Sequence, residues 1–138
     1  TYPDLFSVFS PQRLFIALDS NALVVHFFEP GTNNPATTHG FGSVFTDIDL
    51  AADKARCGRA HHTQIDFLDA AGRSLFASEV PASTGNGGLS FLGAFFPNDE
   101  IATVRIVSGS TALGPDETKC IDIVAMDDFI YAEPQPVP

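Results

Sequence analysis

A chain of 138 residues that is 44% hydrophobic and 17% charged is long enough to bury one core and too apolar to be disordered. Seventeen acidic against seven basic residues leave a formal charge of −10. That balance excludes nucleic-acid binding through a phosphate-neutralising basic surface and disfavours contact with an anionic membrane. No apolar run reaches membrane-spanning length, so no membrane span is expected.

Ten Pro, eleven Gly and thirteen Phe without a Trp suggest short elements joined by turns around a phenylalanine-rich core. In chain order, residues 5–9 and 13–18 read as strands, the second closed by the turn signal Asp19-Ser20-Asn21. Residues 22–28 form an apolar strand interrupted by His26, and 31–40 read as a loop. Residues 41–50 alternate, with Val44, Thr46, Ile48 and Leu50 on one face and Phe45, Asp47 and Asp49 on the other. The stretch 51–62 has helical composition but is too polar for more than a turn or two. Strands at 63–68 and 74–80 flank Asp69-Ala70-Ala71-Gly72-Arg73, a hairpin signal with Gly late in the loop. Gly85-Asn86-Gly87-Gly88 lacks the lysine of a phosphate-binding loop and reads as a mobile hairpin loop. Strands at 89–96, 101–107 and 121–131 follow, with a long polar loop at 108–119. The expected fold is all-β: a two-sheet antiparallel β-sandwich with jelly-roll-like topology and about nine strands. Residues 1–132 make up the single domain, and 133–138 are a Pro-rich extended tail that carries no fold.

Cys57 and Cys120 are too far apart for a zinc or redox motif. An even count in loop-like, charged surroundings suggests one disulfide and an oxidising compartment; two separate buried thiols are the alternative. No leader is visible at Thr1-Tyr2-Pro3-Asp4, as expected of a chain from which one has been removed or of a trimmed one. The expected location is secreted, extracellular or at the cell surface.

The carboxylates carry the candidate chemistry. Asp47 and Asp49 share a strand face, and Asp127-Asp128 interrupts an apolar final strand. Calcium takes six to eight oxygen ligands from carboxylates and carbonyls at strand ends, so these four are the candidate metal ligands. For Asp47 and Asp49 the other reading is a solvated strand face. Adjacent strand residues point to opposite faces, so one of Asp127 and Asp128 is expected on the core side, where a charge requires a cation or several hydrogen bonds. That leaves calcium, or an aspartate that accepts backbone N–H groups and staples a neighbouring loop. The histidines lack zinc spacing, and His26 within its apolar strand reads as a core or interface residue. No nucleophile elbow is present, so no catalytic residue is assigned. The pairs Phe27-Phe28 and Phe95-Phe96 each place one ring per sheet face, which leaves one ring exposed or covered by a partner.

Four segments carry a resemblance. They are Gly40-Phe41-Gly42-Ser43-Val44-Phe45-Thr46-Asp47-Ile48-Asp49, Ile65-Asp66-Phe67-Leu68-Asp69-Ala70-Ala71-Gly72, residues 101–108, and Ala125-Met126-Asp127-Asp128-Phe129-Ile130-Tyr131. In this order they resemble the galactose-binding-like jelly-roll domains of bacterial secreted proteins, including those with a PEP-CTERM sorting tail. The likeness covers roughly residues 40–132, and the Asp-Asp-Phe core of the last strand is its most specific element. It implies a non-catalytic extracellular module that binds carbohydrate or another extracellular polymer and holds a structural calcium ion. The stretch 53–62 is longer than the usual connection, and no sorting helix follows Pro138. Two alternatives stand beside it: a structural protein that self-associates at the cell surface or in an extracellular filament or matrix, and a small secreted hydrolase using a carboxylate pair.

Overall fold

The computed structural model describes residues 5–11, 13–50, 62–98, 100–114 and 120–137. Among these residues nine strands follow one another: β1 (Ala22–Phe28), β2 (Pro35–Thr37), β3 (Gly40–Thr46), β4 (Gln64–Leu68), β5 (Ser74–Glu79), β6 (Leu89–Phe95), β7 (Thr103–Val107), β8 (Ala125–Tyr131) and β9 (Gln135–Pro136). They form two antiparallel sheets, a large one in the order β5-β4-β7-β1-β2-β9 and a small one in the order β6-β3-β8.

The connectivity is that of a jelly roll. Phe15 forms an isolated bridge to Met126 of β8, which puts the N-terminal segment beside the small sheet. The chain then runs through β1 in the large sheet, β3 in the small, the β4–β5 hairpin in the large, β6 in the small, β7 in the large and β8 in the small. Each sheet thereby interleaves early and late strands, as two Greek keys do.

The sandwich closes on alternating apolar residues. Ile65 and Phe67 of β4 and Val104 and Ile106 of β7 are fully buried. They join Phe27 of β1, Phe41 and Phe45 of β3, and Met126 of β8 in one cluster. Burying a side chain of this size stabilises by roughly 1.5–3 kcal/mol, so this cluster outweighs any single polar contact. Phe96 packs against the same cluster while Phe95 is 68% exposed, and Phe27 is buried while Phe28 is 48% exposed. Each Phe pair therefore divides between core and surface, as alternation requires.

Several expected elements differ. Residues 5–9 and 13–18 do not become strands: only the Phe15 bridge pairs, and the segment instead crosses the outer face of the small sheet, where the Ser7 N–H donates to Thr46 Oγ1 at 3.0 Å. All seven residues of β3 are buried: Phe41 and Phe45 face the core, the Phe91 ring lies over Gly42, and the N-terminal segment meets Thr46. Pro35–Thr37, read as loop, forms β2, and Gln135–Pro136, read as tail, pairs with it as β9. Both are too short and too proline-rich to carry a periodic signal. The alternation expected through residue 50 stops at Thr46, because Asp47 takes a left-handed backbone with φ of 70°. That turn resets the phase and brings Ile48 into the same cluster as Phe45. The Gly85–Gly88 loop is not a hairpin, since it carries the chain from β5 in one sheet to β6 in the other. The helical reading of 51–62 lies outside the described residues, apart from His62.

Candidate functional site

Asp127 and Asp128 sit in a bulge of β8. Ser43 pairs with Phe129 and Phe45 with Met126, so Val44 alone opposes both aspartates. The bulge removes strict alternation, and the core-side placement expected for one of them is corrected: Asp127 is 0% exposed beneath the N-terminal segment, while Met126 and Phe129 face the sandwich core. Asp127 Oδ2 accepts the Phe9 N–H at 2.7 Å and the Ser10 N–H at 3.2 Å. Its Oδ1 accepts the Asp128 N–H at 2.9 Å. The Ser10 hydroxyl lies between the two side chains, 3.0 Å from Asp127 Oδ1 and 2.9 Å from Asp128 Oδ1. Burial pushes the Asp127 carboxyl up, but the N–H groups of Phe9, Ser10 and Asp128 and the Ser10 hydroxyl together hold it below the ordinary aspartate value. Asp127 is the staple of the two readings left open for it.

Asp47 is likewise structural. It is buried, not on a solvated strand face. Its N–H donates to the Gly88 carbonyl at 2.9 Å, and its Oδ1 accepts the Gly87 N–H at 2.9 Å. The glycine loop is thus tied to the end of β3, contrary to the mobile loop expected from its composition. At Gly87, φ is +68° and a Cβ would approach Ser7 Oγ to 2.6 Å, so glycine is required. Asp49 is half-buried. It lines a cleft of ≈ 320 Å³ with Thr63, His62 and Glu79, and His62 Nδ1 lies 3.1 Å from Glu79 Oε2. Among the described residues, no group of three His, Cys, Asp or Glu side chains is placed to hold a metal ion. Asp47, Asp49, Asp127 and Asp128 therefore do not fit one shared calcium cage, and the oxygens of Asp127 already face N–H and O–H donors. Asp69 holds the β4–β5 turn, accepting the N–H groups of Ala71 and Arg73 at 2.9 Å each and pairing with the Arg73 guanidinium at 2.7 Å. Cys57 lies outside the described residues, and Cys120 is not a free thiol.

The groove that remains open lies at the seam of the two sheets. A groove of ≈ 430 Å³ opens there, floored by Phe27, Phe41 and Phe129 and flanked by Phe28 and Tyr131. The rings support one another: Phe41 and Phe129 have centroids 5.4 Å apart, Phe27 and Tyr131 5.9 Å, and Phe15 stacks on Phe129 at 5.6 Å. Tyr131 is 55% exposed. His26 is also exposed, so of its two readings the core one falls, and it stands at the groove with Glu29 and Thr32. The turn after β1 fixes that polar wall: the Thr32 N–H donates to the Glu29 carbonyl at 3.0 Å, and Asn34 Nδ2 donates to Glu29 Oε2 at 3.0 Å. Phe27-Phe28 is the sequence signal that marks this site. The contribution of Glu29 and Tyr131 depends on the seam and has no local signal.

The fold defines a jelly-roll β-sandwich with an aromatic groove at one seam. No family model matches the chain, and no curated protein or solved structure matches it.

Proposed function

We propose that this chain is a non-catalytic extracellular binding module that takes a glycan, or another neutral extracellular polymer, in the seam groove. The observation that carries this reading is a half-open aromatic cleft with exposed Phe28 and Tyr131 and a polar wall of His26, Glu29 and Thr32. Apolar walls with a few placed polar groups are the usual make-up of ligand sites. A sugar offers an apolar ring face for stacking and hydroxyls for hydrogen bonds, and it carries no charge for an acidic protein to repel.

A glycan array followed by calorimetric titration tests the reading. Phe28→Ala with Tyr131→Ala is expected to weaken binding at least tenfold, worth about 1.4 kcal/mol. A blank array, or an affinity unchanged in the double variant, overturns it. The extracellular placement is tied to a Cys57–Cys120 disulfide, which in the chain-entropy model contributes about 4 kcal/mol. Intact mass without reductant is expected to lie two hydrogens below the reduced chain; two free thiols would remove the argument for an oxidising compartment.

A further inference from the structure

We propose that β6 is a self-pairing edge through which two copies of this chain join their small sheets across a two-fold axis. Three of the four sheet edges carry devices that block strand addition. β5 ends in Glu79, and Asp69 and Arg73 form an ion pair at the adjoining turn. β9 is flanked and ended by Pro134 and Pro136, which have no N–H to donate. β8 is bulged at Asp127-Asp128 and bridged by Phe15. β6, Leu-Ser-Phe-Leu-Gly-Ala-Phe, has no charge, proline or bulge, and pairs with β3 in unbroken register. None of its seven residues is buried, and among the described residues no strand lies beyond it. A bare, uncharged edge of this length is a template for another strand.

The backbone phase fixes which groups are offered. Asp47 donates to the Gly88 carbonyl at one end of β6, and the Phe96 N–H donates to the His39 carbonyl at the other. Even-numbered residues therefore bond to β3, and Leu89, Phe91, Gly93 and Phe95 direct their N–H and C=O groups to the open side. A second β6 set antiparallel, with the two-fold axis at Leu92, brings Leu89 opposite Phe95 and Phe91 opposite Gly93 of the other copy. Every outward group is then matched, in about eight interchain hydrogen bonds. The side chains agree with this register. Phe91 already lies over Gly42 and Gly93, whose added Cβ atoms would come within 2.6 and 2.9 Å of its ring. The small residue opposite Phe91 leaves that ring in place, while Leu89 and Phe95, 41% and 68% exposed, meet as an apolar cross-strand pair.

The second copy is the occupant that the strand itself favours, because Leu89 with Phe95 and Phe91 with Gly93 complement one another across the two-fold axis. At a net −10, two copies repel, and an uncharged strand is where they approach at least cost. The paired strands and their exposed side chains bury on the order of 1,000 Å², the size of a weak, reversible interface. This pairing is independent of the seam groove, which lies at the opposite edge of the sandwich.

Sedimentation velocity of the full chain, from about 10 μM to 1 mM, is expected to show reversible dimerisation. Leu89→Lys with Phe95→Lys opposes like charges in this register and is expected to weaken the dimer at least tenfold, although it lowers the net negative charge. Leu89→Lys with Phe95→Glu opposes unlike charges and is expected to restore it. A wild-type chain that stays monomeric throughout, or a dimer that survives Leu89→Lys/Phe95→Lys, overturns the proposal. Hydrogen exchange on the unaltered chain gives a second reading. The amides of Leu89, Phe91, Gly93 and Phe95 are expected to slow with concentration while those of Ser90, Leu92 and Ala94 do not; unchanged exchange at the four also overturns it.

Discussion

At one edge of the small sheet, β8 carries a bulge, two carboxylates and a length of N-terminal chain bound across it. At the other edge, β6 presents Leu89, Phe91 and Phe95 with no charge and, among the described residues, no strand beyond. Both edges began with the same problem, unpaired strand backbone. β8 solves it within the chain, at the cost of burying a carboxylate that four donors then stabilise. Among the described residues, no strand pairs with the outward backbone of β6. Polarity inside the fold and apolarity outside it are thus two uses of one architecture: the first closes the domain, and the second leaves it open to a neighbour.

The largest effect is expected where that closure is removed. Asp127→Ala deprives the N–H groups of Phe9, Ser10 and Asp128 of their acceptor. Hydrogen bonds to a charged group are worth about 1.5–3 kcal/mol each, and a segment that is only part-buried regains water when freed, so the expected loss is about 3 kcal/mol. In a domain of this size that lowers the midpoint by roughly 10 °C in a thermal melt. A change under 1 kcal/mol would mean that the N-terminal segment is held by packing alone.

The same staple sets the acid limit. The folded-state pKa of Asp127 lies below its ordinary value of 3.8. A depressed carboxylate stabilises fully above the unfolded value, and that stabilisation is lost as pH falls through the folded one. Wild-type stability is therefore expected to be level above about pH 5 and to fall through pH 4 and below. Asp127→Asn should start lower and show a shallower acid slope. The remaining slope includes Asp69, whose carboxyl is held down first by the Arg73 N–H, with burial opposing and the guanidinium and the Ala71 N–H adding to it. Equal acid slopes in the two proteins would place the titration elsewhere.

What was legible in the sequence follows the same division. The cores of β1, β4, β5, β6 and β7 were readable because alternation and Gly-containing turns are local signals. The oddity of Asp127-Asp128 was also readable, because a buried charge in an apolar strand demands partners. Which partners was not: Phe9 and Ser10 stand 118 and 117 residues away in the chain, and the bulge that aims Asp127 at them arises only when β8 pairs with β3. Asp47 escapes a local reading for a related reason, since a left-handed residue ends an alternation that the sequence of its neighbours continues. The apolar content of residues 13–18 predicts a strand, whereas only Phe15 pairs there; the seam groove draws its lining from β1, β3 and β8, which no local signal joins.

The smallest effect belongs to the bare edge. Leu89 and Phe95 are exposed, and neither is part of the sandwich core, so Leu89→Lys with Phe95→Lys is expected to change the stability of the isolated domain by no more than about 0.5 kcal/mol in a dilute denaturant melt. The hydrogen bonds of β6 to β3 use the even-numbered residues, which this variant leaves untouched, and Phe91 keeps its place over Gly42 and Gly93. The contrast with Asp127→Ala is the sharpest measure of how the two edges differ. A loss above 2 kcal/mol in the lysine variant would show that these side chains hold the sandwich together rather than face outward. A near-neutral melt with a broken dimer separates the two roles, since one edge then carries folding and the other carries association.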